Sequence, residues 1–157
     1  MRSSSIHEIK QELLTLKAGE VTALCLRLAR FKKENKELLS YLLFEAQDEQ
    51  NYIKNIKQEI EGLFAEINLS HLYFAKKTLR KILRVINKHS RYSGNKQTDM
   101  ELRIFFCRQL KISGIPFRQN AVLSNIFDGQ LKKIDAALAA LHEDLQHDYS
   151  KDIAALR

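Results

Sequence analysis

Three stretches of this chain repeat one spacing. Ile53, Ile56, Ile60, Leu63 and Ile67 are separated by 3, 4, 3 and 4 residues. Leu72, Ala75, Leu79, Ile82 and Ile86 follow the same rhythm, and so do Leu131, Ile134, Leu138, Leu141 and Leu145. The pattern tracks the α-helical period, so each set lies along one face of a helix. A strand would need strict alternation in twos, and runs of that kind are missing. Breakers are rare as well: one Pro and five Gly in 157 residues, where a strand-rich fold needs many turns.

The expected fold is therefore all-α: an antiparallel helical bundle of about six to eight helices forming a single domain over residues 1–157. The alternative is an α-solenoid of stacked helix pairs, although no period of roughly 30–50 residues is visible. The spacing predicts helices over 5–16, 20–33, 36–47, 49–67, 71–89 and 98–112, a short one near 119–127, and a last one over 130–148. Ser5 with Glu8, and Thr98 with Glu101, match the capping box. Asn35, Asp48 and Ser70 stand where further caps are needed. Breaks are expected at 17–19, in a polar loop over 90–97, at Ser113-Gly-Ile-Pro116 and at Asp128-Gly129. The helix over 20–33 is apolar on more than one side and is expected to be well buried.

Several function classes lose their motifs at this point. There is no GxGxxG, GxxxxGK[ST] or GxSxG. HEDLQHD resembles HExxH, but His142 and His147 lie about 140° apart on a helix and cannot share a metal from one face. Cys25 and Cys107 each sit in an apolar helical segment and read as buried free thiols. The expectation is no catalytic residue, no metal site, no cofactor and no enzyme. No segment has the length of a membrane-spanning helix, and the N-terminal residues lack the apolar run of a signal peptide, so a cytoplasmic location is expected.

Charge gives the one positive lead. Residues 76–96 hold eight Lys or Arg and no acid, while the whole chain carries a formal charge of +7. The rest of the chain therefore sums to −1, and the excess is concentrated in one band. On a helical wheel at 100° per residue, Lys77, Arg80, Lys81, Arg84, Lys88 and Arg91 lie opposite the Leu72–Ile86 stripe, with Lys76 at its edge. Tyr73 falls in the same arc; Tyr92 and Lys96 extend it into the expected loop. An aromatic among cations can stack on a base while the cations hold phosphates.

Two readings follow. The chain's own acids, Glu59, Glu61 and Glu66 or Asp144, Asp148 and Asp152, neutralise the band. Otherwise it faces an external partner, an acidic protein surface or, alternatively, nucleic acid bound without sequence preference. The last helix offers a seam for a homodimer, with the closing helix of a bundle as its plainer use.

Overall fold

The computed structural model describes residues 2–157 and is all-α. Among these residues there are eight α-helices, one π-helical turn and one 3-10 turn, and no strand. The chain divides into two compact units, one ending at Phe44 and the other spanning Glu45–Arg157.

The first unit holds α1 (Ile6–Thr15), α2 (Ala18–Phe31), α3 (Lys33–Ser40) and the π turn Tyr41–Glu45, which crosses the boundary. Ser5 and Glu8 form the predicted capping box: the Ser5 hydroxyl accepts from the Glu8 N–H, and the Glu8 carboxylate accepts from the Ser5 N–H at 2.7 Å. That backbone bond holds the Glu8 carboxyl below its usual range. Asn35 does not cap α3. Lys32 stands at that position, and the Asn35 amide instead donates to the Leu28 carbonyl. The expected burial of the second helix is also not found: α1, α2 and α3 bury no residue, and Cys25 is only half-buried. Amphipathic spacing tells which face is apolar, not that anything within the unit covers it.

The second unit holds α4 (Glu49–Ala65), α5 (Leu72–Ser93), α6 (Lys96–Ile112), the 3-10 turn Phe117–Gln119, α7 (Ala121–Ala139) and α8 (Glu143–Ala154). Helix α6 is central, with α4, α5 and α7 all packed against it. Its buried residues, among them Met100, Leu102, Ile104, Phe106 and Leu110, run round its circumference, as a helix enclosed on several sides requires. Asp48 caps α4 as expected, accepting from the Asn51 N–H. Phe117 is half-buried against Phe127, with ring centroids 4.8 Å apart.

Three boundaries differ from the sequence expectation. Residues 90–97 are not a polar loop: α5 runs to Ser93, and only Gly94 and Asn95 separate it from α6. Gly94 ends α5 at φ 67°, a left-handed conformation that favours glycine. Asn95 caps α6, and Thr98 is buried within it. Asp128-Gly129 does not turn; α7 passes through and buries Phe127, Gln130 and Ile134 on the way. The last helix is two, since α7 ends at Ala139 and His142 caps α8. Ile134 and Ala137 are in the core, so the apolar stripe of α7 serves packing within the unit.

Polar clamps join these helices. Glu49 at the start of α4 accepts from the Ser93 and Thr98 hydroxyls, tying α4 to α5 and α6. Glu101 of α6 accepts from Lys57 at 3.3 Å and from the Tyr149 hydroxyl at 2.5 Å, which fastens α4 and α8 to α6. Burial, then the Glu101 bond, pushes the Tyr149 phenol from 10.0 up to about 12. Burial likewise pushes the Cys107 thiol from 9.0 up to about 12. Both folded values lie above the ordinary ones, so the neutral forms stabilise the fold fully below pH 9.0 and the benefit is lost as pH rises towards 12. The denaturant midpoint of unfolding, followed by circular dichroism, should fall steadily across that window. Tyr149→Phe should flatten the part above pH 10.0. A midpoint independent of pH would contradict this account.

Candidate docking face on the long basic helix

Helix α5 is oriented by its apolar stripe. Leu79, Ile82 and Ile86 are fully buried and Ala75 nearly so. At about 1.5–3 kcal/mol per large aliphatic, the three contribute roughly 4.5–9 kcal/mol gross, enough to fix which side faces inward. Leu72, at the first turn, stays partly exposed. The opposite side carries Tyr73, Lys77, Arg80, Lys81, Arg84 and Arg91, all exposed. Lys96, in the first turn of α6, is exposed as well. From Tyr73 to Arg91 the face spans about 27 Å at 1.5 Å per residue.

The chain's own acids do not neutralise this band. Among the described residues, no ion pair within 4.0 Å involves Lys77, Arg80, Lys81, Arg84, Arg91 or Lys96. Several acids expected to serve are engaged elsewhere. Glu59 lies 3.7 Å from His89, Asp152 pairs with Arg108 at 2.6 Å, and Asp144 lies 3.3 Å from His142. Like charges at i,i+4, such as Lys77 with Lys81 and Arg80 with Arg84, therefore repel without compensation from carboxylates.

Two of the predicted residues fall outside this set. Tyr92 is not on a loop. It sits in the last turn of α5, is 9% exposed and packs edge-on against His89, so it offers no ring to a partner. Lys88 is half-buried and engaged within the chain.

The remaining residues, apart from Lys81, which lines neither depression, form two groups. Tyr73, Lys77, Arg80 and Arg84, joined by Lys76 and Leu83, line an open depression of about 610 Å³ along α5. Arg91 and Lys96 border a second, of about 370 Å³, where Lys133 of α7 joins them. Lys133 belongs to a different helix, and no spacing along the chain could have linked it to α5. Beneath this second depression lies Arg103, 5% exposed. Its guanidinium donates to Asp99 at 2.7 and 3.0 Å, to Gln130 at 2.7 Å and to Asn87 at 2.9 Å. Burial alone would raise the Asp99 carboxyl, but the bonds from Arg103 and Ser90 and the charges of Arg103 and Lys133 together outweigh it and hold it below the usual range. Arg103 is thus a structural clamp with its charge already matched.

Cys107 is fully buried and its thiol is held neutral, conditions opposite to those of a reactive cysteine. No helix among the described residues is long and apolar enough to cross a membrane, and they hold no group of three or more His, Cys, Asp or Glu arranged to bind a metal. No protein-family model, no curated protein and no solved structure matches the chain.

Proposed function

We propose that this chain is a non-enzymatic docking module that presents the basic face of α5, extended by Lys96, to an acidic protein surface. One observation carries the reading: six exposed cations on that face have no carboxylate partner among the described residues. A face that served only to meet water would mix signs, because i,i+4 pairs stabilise a helix and like charges destabilise it. A partner carrying carboxylates at matching intervals relieves the repulsion and gains Coulomb attraction, and a clustered field steers it into place.

A second reading, nucleic acid bound without sequence preference, is favoured by Tyr73. Its ring is 69% exposed and shares a depression with Arg80 and Arg84, the combination that stacks a base and holds phosphates.

Fluorescence anisotropy with two probes, a poly-Glu peptide and a random-sequence oligonucleotide, tests both. Salt should weaken either complex. For duplex DNA with about five phosphates contacted, affinity should drop roughly 500-fold between 50 and 200 mM salt. Tyr73→Ala separates the readings: it should leave poly-Glu binding intact and weaken single-strand binding by about 1–3 kcal/mol only if a base stacks there. Absence of binding to both probes at 50 mM salt would overturn the proposal.

A further inference from the structure

We propose that the helices of the first unit form the contact between two copies of this chain. Among the described residues, seventeen large apolar side chains are exposed, and eleven of them fall within residues 6–44. Monomers rarely leave such a concentration uncovered. The exposed residues are patterned. Ile6, Ile9 and Leu13 in α1 and Leu24, Leu28 and Phe31 in α2 follow the same alternation of threes and fours. That alternation packs helix on helix at a shallow angle, ridges into grooves.

The area matches a dimer. A large side chain presents about 60–120 Å² of apolar surface, the area that corresponds to 1.5–3 kcal/mol at 25 cal/mol per Å². Leu14 and Leu26 lie off the stripes. The six stripe residues, together with Leu42, Leu43 and Phe44 of the π turn, are between 37% and 82% exposed and keep on the order of 500 Å². A stable pairing buries about 800 Å² on each partner, a little over half of it apolar.

The charges on the two striped helices suit a second copy. Helices α1 and α2 together hold three acids, Glu8, Glu12 and Glu20, and three bases, Lys10, Arg27 and Arg30. A mixed, neutral rim can meet its own image in a twofold contact without net repulsion. A dimer also carries two α5 faces, which strengthens attachment to any partner with repeated acidic segments.

Sedimentation equilibrium on the full chain tests this. The expected mass is twice 18.3 kDa at micromolar concentrations. Leu24→Glu with Leu28→Glu should return the monomer mass, with helical content by circular dichroism retained because neither side chain is buried. Leu26→Glu, on the opposite side of α2, should leave the dimer intact and controls for added charge. A wild-type monomer at every concentration would overturn the proposal; it would also be the result if the stripes were covered within one chain or by lipid. So would a dimer that survives the Leu24 and Leu28 substitutions. These results are independent of probe binding by α5, since none of the substituted residues lies on that helix.

Discussion

Arg103→Ala should destabilise the second unit by about 3–5 kcal/mol, the range found when one partner of a buried ion pair is removed. The size follows from what the substitution leaves behind. Asp99, Gln130 and Asn87 would all lose the donor they share. Those groups come from α6, α7 and α5, so three helices lose a common fixed point. Urea denaturation monitored by circular dichroism measures the change. A double substitution, Arg103→Met with Asp99→Leu, should recover part of the loss, because removing both charges avoids stranding one of them. Acid titration gives an independent reading. The folded Asp99 carboxyl lies below its ordinary 3.8, so its contribution is present above that value and lost as pH falls through the lower folded value. Arg103→Ala should shrink that component, leaving only what Ser90 and Lys133 supply. A loss below about 1 kcal/mol would mean that the clamp is worth no more than a surface pair.

The sequence reads well where a local rule has no competitor. Ser5 and Glu8 are three residues apart and need nothing else to cap α1. The stripe of α5 places Leu79, Ile82 and Ile86 inward because it gathers most of that helix's large aliphatics on one side. It fails where tertiary burial overrules a local preference. Gly129 costs a helix interior about 1 kcal/mol, yet Phe127 and Ile134, buried on either side of it, are worth more. Polar residues over 90–93 suggest a loop, but Gly94 takes the left-handed conformation and lets α5 continue up to it. The apolar stripe of α2 is legible, and its exposure is not, because spacing says nothing about neighbours. Within the candidate site, the exposure of Arg80 and Arg84 could be read from the wheel. The burial of Tyr92 could not, for it depends on the helix extending three residues past Ser90. Arg103 and Asp99 stand at i,i+4 and suggest an ordinary surface pair; Gln130, distant in sequence, completes the clamp.

Reversing two charges on α5 should abolish docking and leave the fold untouched. Arg80 and Arg84 are exposed, lie one turn apart and share the larger depression with Tyr73. Each surface ion pair is worth up to about 1 kcal/mol. Arg80→Glu with Arg84→Glu removes two attractions and adds two repulsions, so the penalty is about 2–4 kcal/mol, a loss of roughly 30- to 700-fold in affinity. Stability should hold or rise, because Glu at 80 and 84 stands four residues from Lys76, Lys88 or the other new acid, and the wild-type row repels itself. Lost binding with a stable fold is the signature of a surface built for contact. Titration of the poly-Glu probe against wild type and variant, with thermal melts of both, measures the two quantities together. Equal affinity for the two proteins would remove α5 as the docking element, whatever else the chain binds. Reversing Lys54, an exposed cation on α4 outside the α5 band, controls for net charge: if it weakened binding as much, the effect would belong to overall charge and not to this face.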